Sequence, residues 1–406
     1  MSSGHRVAVT GLGVVSALGD GAEAFWRELR ADRGGIRPLV GVDARQLRFG
    51  QGAEARDFAP AQHFPDGRDR LLDRFAQFAV VAAREAVRGA ALDWSAELRE
   101  ETAVVLGTGC GGQVTQEEAS IDLYQRRAER VHPTTIPRMM PSAATSHVAM
   151  EMGIMGPAYT VSTACSSANH AIGQAFQMVR RGEVRLALAG GAEAPFTLGV
   201  LRGWEALRVV APDTCRPFCR RRQGLILGEG AAVLVLEPFE AARARGARIR
   251  GELVGFGMSS DADHITRPTV SGPVRAMRAA LRDAALPPQA VGYVNAHGTG
   301  TPLNDAVEAR ALRELFGAHA DRLAVSSTKS HHGHALGAAG ALEAAATVLA
   351  LEAGWLPATL NFLEADPECD LDVIANHGRA ATVEHALSSS FAFGGLNAVL
   401  AFRAPG

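Results

Sequence analysis

The residues most able to do covalent chemistry sit in a few short segments of small residues, and the first is VSTACSSANHAIG around Cys165. An apolar run that reads as a strand, AYTVSTAC, ends at this cysteine, and SSANHAIGQAFQMVRRGE reads as the helix after it. A thiol at a helix N-terminus meets the positive end of the helix dipole, which lowers its pKa and favours the nucleophilic thiolate. Backbone N–H groups at the same turn can face a developing oxyanion. The competing reading is a buried, inert cysteine, the usual state of an unpaired Cys.

Three further segments bear on that choice. HGTGTPLND puts His297 at the end of the apolar run VGYVNA, followed by glycines and small residues, which leaves an imidazole at the rim of a sheet. STKSHHGHALGAAG sets Lys329, His331, His332 and His334 in a small-residue turn before an Ala-rich helix. FAFGGLN places Phe391 and Phe393 against Gly394 and Gly395, as a tight turn does. A lone histidine in any of these is more often a satisfied structural group. Three strand-end motifs joining one cysteine are much harder to read as coincidence.

The elements that must position these residues alternate along the whole chain. Strands are expected at VAVTGLGVV, TAVVLGTG, LALAGGAEA and AAVLVLEPF, with a helix at RFAQFAVVAAREAVRGA. The pattern then restarts: IRGELVGFGMSS as a strand, 272–285 as a helix, VGYVNAHGTGT as a strand, 305–316 as a helix, LAVSSTKS as a strand, and GALEAAATVLALEAG as a helix. SSSFAFGGLNAVLAF closes the chain as a turn between strands. Such alternation predicts an α/β fold with parallel or mixed sheets, and strands apolar throughout predict helices on both faces. No Pro/Gly/Ser linker separates the two runs. The best break lies in EAARARGARIR, dividing residues 1–250, with Cys165, from residues 251–406, with the histidines. Chemistry-bearing residues on both sides require the halves to pack tightly.

Composition removes several function classes. With 41 Lys and Arg against 43 Asp and Glu, the chain has no polyelectrolyte character, and no basic stripe marks a nucleic-acid partner. The five cysteines (Cys110, Cys165, Cys215, Cys219 and Cys369) are odd in number and scattered, which argues against a disulfide framework and for a reducing, cytoplasmic setting. Cys215 and Cys219 lack a matching pair at zinc-site spacing, so no metal is expected. The N-terminus has only a short apolar run broken by glycines, unlike a signal peptide, and no stretch is expected to reach the ~18 apolar residues of a membrane span. GTGCGG formally matches a dinucleotide fingerprint at Gly107, Gly109 and Gly112 but lacks the acidic residue that should end a following strand. No cofactor is expected. Neither a P-loop lysine nor a G-x-S-x-G elbow occurs.

Taken in order, VTGLGVVSALG, GTGCGG, TACSS, GGAEA, RPF, LGEGAAVLVLE, HGTGTPLND, KSHHGHALGAAG and FAFGGLN resemble the β-ketoacyl-acyl-carrier-protein synthases, particularly the synthase II branch and its type II polyketide relatives. The likeness runs over almost the whole chain. It implies a thiolase-like fold, two duplicated halves in a layered αβαβα core, and a homodimer. It also implies decarboxylative condensation. Cys165 would take an acyl group from a carrier thioester, and His297 and His334 would hold the malonyl thioester while carbon dioxide leaves. The backbone N–H groups of Cys165 and Phe393 would hold the tetrahedral oxyanion. Lys329 and Glu343 match the family's buried pair near the second histidine, implying that they orient His334, with a plain structural salt bridge as the alternative. Asp305 and Glu308 match positions read as structural. His331 and His332 fall off the catalytic position and are expected on the solvent side or in loop packing. Phe393, with Gly394 and Gly395, matches an aromatic gate.

The resemblance also sets out departures. Cys219 and Gln223 replace acidic residues after RPF. Cys110 and Gly203, the latter beside Trp204, stand where the synthase II branch carries larger side chains along the acyl pocket, implying a wider pocket that suits a rigid polyene or aryl chain. Arg68, Arg70 and Arg74, then Arg126, Arg127, Arg130 and Arg138, and above all Arg220, Arg221 and Arg222, are candidates to meet an acidic acyl carrier protein. Two alternatives stay open. The chain would be a ketosynthase subunit active only with a chain-length-factor partner, or a non-elongating thiolase-like acyltransferase.

Overall fold

The computed structural model describes residues 4–406; Met1–Ser3, the start of the N-terminal stretch considered above for a leader, lie outside the described residues. The first half contributes the strands β1 (Val7–Ser16), β2 (Thr102–Gly107), β3 (Ala158–Val161), β4 (Leu186–Glu193) and β5 (Gly230–Pro238). The second contributes β6 (Gly251–Ser260), β7 (Val291–Asn295), β8 (Ala324–Ser326), β9 (His385–Ala392) and β10 (Leu396–Arg403). Their spatial orders, β3-β2-β4-β5-β1 and β8-β7-β9-β10-β6, are the same once each half is counted from its own first strand. Pairing senses repeat too: the first two contacts in each order are parallel and the last two antiparallel. The restart legible in the sequence is therefore a duplication of topology. The half-sheets meet edge to edge only where β1 and β6 pair antiparallel, Val7 opposite Leu253 to Val9 opposite Gly251.

Helices fill the layers. On the outside, α1 (Arg74–Ala90) packs on β1 and β5, and α3 (Ser271–Asp283) packs on β6 and β10. Between the half-sheets lie α2 (Ser167–Arg180) and α5 (Ala339–Ala353), which touch each other and strands of both halves. A helix enclosed on every side must be apolar all round and slim, and α5, AGALEAAATVLALEA, is buried from Ala339 to Leu351. This corrects the expectation about membrane-spanning length. Leu336–Ala353 is 18 residues with a mean hydropathy of 1.4, yet 89% of it is buried inside the molecule, as a central core helix must be.

The duplication also repeats a strained turn. Ala164 (φ 51°) and Leu336 (φ 46°) both take the left-handed conformation, each three residues before its central helix begins. A residue with a Cβ stays there only where its surroundings dictate it. Cys165 follows one such turn, and His334 lies just before the other.

Candidate active site

A cavity of about 260 Å³ is walled by Cys165, His297, His334, Phe391, Phe393 and Gly395, with Trp204 and Leu225 on another side. Its exposed rim includes Arg208, His264, Arg267 and Leu303.

Cys165 is only 7% exposed. Ser167 at the start of α2 fixes its turn, donating to the Ala164 carbonyl at 2.6 Å and accepting from the Thr163 N–H at 2.9 Å. Burial pushes the Cys165 thiol up to about 12; the Lys329 ammonium pulls it down, while the Glu193 and Glu343 carboxylates add to the rise. Desolvation thus opposes the lowering expected from the helix end.

The imidazoles beside it are neutral as well. Burial holds His297 and His334 well below the ordinary histidine range, with Lys329 acting in the same direction on both. The rings stand edge to face, centroids 5.4 Å apart. His297 is set by α4 (Pro302–Phe316), whose Glu308 accepts from the His297 and Gly298 N–H groups at 2.8 and 2.7 Å. Burial raises that carboxyl to about 7, against the Gly298 N–H that favours its charge. Asp305, one turn earlier, accepts from the Phe218 and Gly300 N–H groups at 2.8 and 3.1 Å. Both carboxylates hold loop backbone and neither lines the cavity.

Lys329 and Glu343 are each 0% exposed and form an ion pair. The pair was expected to orient His334, but Lys329 Nζ donates to the His297 carbonyl at 2.6 Å and lies 3.3 Å from His297 Nδ1. The reason is register: β7 and β8 run parallel with Asn295 opposite Ser326, so the residue three past β8 rises beside the residue two past β7. An ammonium on Nδ1 makes that nitrogen the acceptor, so Nε2 of the neutral ring carries the hydrogen toward the cavity. His334 is held by its backbone instead, its N–H donating to Ile226 at 2.7 Å and its carbonyl accepting from Gly228 at 2.9 Å.

Other expectations need correction. Of the two placements expected for His331 and His332, the solvent side is wrong and loop packing is right: both are fully buried, the ring nitrogens of His331 meet the Arg33 and Ala358 carbonyls at 3.0 and 2.9 Å, and His332 meets Thr328 Oγ1 at 3.0 Å. They pin distant loops to the His334 segment. Cys110 and Gly203 do not line the cavity. Cys110 packs half-buried in an apolar cluster with Leu201, Trp204 and Leu336. Gly203 is exposed, and a Cβ there meets nothing within 4 Å, so within this chain its small size does not widen the cavity. Gly394 lies behind the wall, its N–H donating to the Ile265 carbonyl. Of the arginines, Arg222 is buried against Asp366, Arg74 is paired with Glu229, and Arg220 and Arg221 share Glu364. The basic groups that do stand at the cavity rim, Arg208 and Arg267, were missed because nothing in their local sequence marks them.

Glu193 was missed as well, although GGAEA was noticed. It ends β4, fully buried, and accepts from the N–H groups of Gly109, Cys110 and Gly337 at 2.6, 3.0 and 2.9 Å and from the Thr108 hydroxyl at 3.0 Å. One carboxylate thereby ties the GTGCGG loop of the first half to the segment after His334 in the second. Glu193→Ala strands four donors without an acceptor, and urea unfolding should show a loss of at least about 3 kcal/mol.

No group of three or more His, Cys, Asp or Glu side chains among the described residues could hold a metal ion. A buried thiol from the first half shares one cavity with two neutral imidazoles from the second, an arrangement suited to carbonyl chemistry through a covalent thioester. Residues 4–242 match the Beta-ketoacyl synthase, N-terminal domain, and residues 250–363 match the Beta-ketoacyl synthase, C-terminal domain. The chain belongs to the β-ketoacyl synthase family and is a ketosynthase of acyl-chain elongation. It is 46% identical to "Nodulation protein E" of Rhizobium sp. (strain N33), over 98% of this chain and 99% of that one. It is 39% identical to "3-oxoacyl-[acyl-carrier-protein] synthase 2" of Staphylococcus aureus (strain COL), over 99% of each. Its fold superposes on the ishigamide ketosynthase/chain length factor with a TM-score of 0.95 at 37% identity, covering 99% of this chain and 100% of that chain.

Proposed function

We propose that Cys165 carries the growing acyl chain and that His297 and His334 drive decarboxylation of the extender. The Cys165 sulfur attacks an acyl-carrier thioester; the acyl group moves to Cys165 and the carrier thiol leaves with the proton. A malonyl-carrier thioester then binds with its carbonyl oxygen toward the two Nε2 atoms, carbon dioxide departs, and the enolate forms against fixed donors. Its carbon attacks the Cys165 thioester, a C–C bond forms, the C–S bond breaks, and a β-ketoacyl carrier leaves. Each well-placed donor to a developing oxyanion contributes about 3 kcal/mol, and the backbone N–H groups of Cys165 and Phe393 serve the tetrahedral intermediate. On this reading residues 1–250 supply the nucleophile and residues 251–406 the decarboxylating pair.

The observation that carries the reading is that Cys165, from one half, and His297 and His334, from the other, line the same cavity. The partners it requires are acyl- and malonyl-loaded carrier proteins. Five unpaired cysteines fit a reducing cytoplasm. A second reading, in which the chain works in a heterodimer with a chain-length factor, is favoured by its likeness to the ishigamide ketosynthase/chain length factor.

Intact-mass spectrometry after incubation with a panel of acyl-carrier thioesters tests this: one acyl increment is expected, mapped by digestion to Cys165. Acylation elsewhere defeats the proposal. Phe393 is assigned as the gate over the cavity, with Gly394 (φ 81°) and Gly395 (φ 68°) supplying the hinge. The same mass assay in Phe393→Ala should show a changed acylation rate; an unchanged rate removes the gate.

A further inference from the structure

One aromatic contact at the cavity joins the two halves of the chain. Trp204 and Phe393 lie nearly parallel, 23° apart with centroids separated by 5.9 Å, and both line the cavity. The Phe393 turn is anchored on its other side away from the ring: the Gly394 N–H donates to the Ile265 carbonyl at 2.7 Å, and the Gly395 carbonyl accepts from the Asp261 N–H at 2.9 Å and from Asn397 Nδ2 at 3.1 Å. Its left-handed glycines leave the ring free to swing, and among the described residues Trp204 is the only ring stacked on it.

Trp204 itself stands on a fixed support. The helix Leu198–Ala206 is capped by Thr197, and its first N–H groups, Leu198 and Gly199, donate to Glu117 at 3.1 and 2.8 Å. Leu201 on the same helix is fully buried. Trp204 also packs in the apolar cluster holding Cys110, Leu225 and Leu336, so its ring lies between that cluster and Phe393.

We propose that Trp204 is the latch of the Phe393 gate. Stacked, the pair holds the glycine turn over Cys165; an acyl chain reaching the sulfur must separate the rings. Trp204 is thereby a positioning residue, acting on acyl entry through Phe393. This rests on the acyl-Cys165 reading above.

The test pairs mass spectrometry with intrinsic fluorescence. The chain has only four tryptophans, and Trp204→Phe isolates the Trp204 signal by difference. As mass spectrometry follows Cys165 to full acylation, emission of the parent protein should change in step. That change should vanish in Trp204→Phe and in Phe393→Leu. Trp204→Ala should acylate faster by about 2- to 10-fold, the range of one aromatic stack, and Trp204→Phe should restore the parent rate. Complete acylation with unchanged Trp204 emission overturns the latch, as does Trp204→Ala acylating at or below the parent rate. Absence of any mass increment on Cys165 instead defeats the underlying acyl-enzyme reading.

Discussion

Replacing Cys165 by alanine should reduce condensation by on the order of 10⁶-fold, the scale seen when a covalent nucleophile is removed. Two measurements give that loss its meaning. Intact mass after exposure to an acyl-carrier thioester should show no adduct on the variant. Release of carbon dioxide from malonyl carrier should continue, because the groups assigned to it, His297 and His334, are untouched. His297→Ala and His334→Ala should show the converse: acylation of Cys165 persists while decarboxylation falls by about 10²- to 10³-fold, the range for one fixed oxyanion donor. Loss of acylation and decarboxylation together in all three variants, with the fold intact, would remove the division of labour. The size of the first effect follows from burial. A thiol raised to about 12 is a poor spontaneous nucleophile, so its acylation depends on the backbone N–H groups at its turn and on the departing carrier thiol taking its proton.

The second large effect concerns the Lys329–Glu343 pair. Lys329→Ala leaves the Glu343 carboxylate buried without its cation and should cost about 3–5 kcal/mol, read as a fall in the urea midpoint. It also removes the donor at His297 Nδ1. The imidazole is then free to place its hydrogen on either nitrogen, and decarboxylation should fall by on the order of 10²- to 10⁴-fold, as when the partner that fixes a catalytic tautomer is lost. The double variant Lys329→Met/Glu343→Leu separates the two consequences. It removes both charges, so it should recover most of the stability while remaining slow. Recovery of decarboxylation along with stability would mean that the pair only supports the fold. Recovery of neither would mean that the core cannot accept the replacement, and Lys329→Arg, which keeps the charge, then decides whether a cation at that position restores turnover.

Much of the scaffold was legible because its signals are local. Several long strands are apolar nearly throughout and appear where a short apolar run lies between helical patterns; the buried runs of β4 and β5 are examples. The helices at Arg74, Ser167 and Ala339 lie where periodic or Ala-rich patterns placed them. The segments holding Cys165, His297 and His334 were legible for a related reason, while the choice of His334 over His331 and His332 came from the family resemblance. Strand ends followed by small residues are a local pattern, and three of them aim at one rim once the strands are parallel.

The positions read wrongly all depended on contacts distant in sequence. Lys329 was assigned to His334, five residues away, but holds His297, thirty-two residues away, because parallel register overrides sequence proximity. His331 and His332 pack loops, as one of their two readings had it, but the solvent-side alternative fails because their segment is enclosed by residues near 33 and 358. Arg222 ended the densest basic run, but Asp366 neutralises it in a buried pair. Glu193 carried no marker because its four donors come from loops in both halves.

Periodicity and residue type along the chain determined the α/β class, the repeat of one half by the other, and which cysteine and histidines could do chemistry. The tertiary structure alone decided the protonation of those groups, since burial sets it and burial is a property of the packed whole. It also decided which imidazole the lysine holds, which arginines keep a free charge, and which aromatic rings meet across the cavity. Each of these depends on the register and spacing between strands, which no single segment encodes.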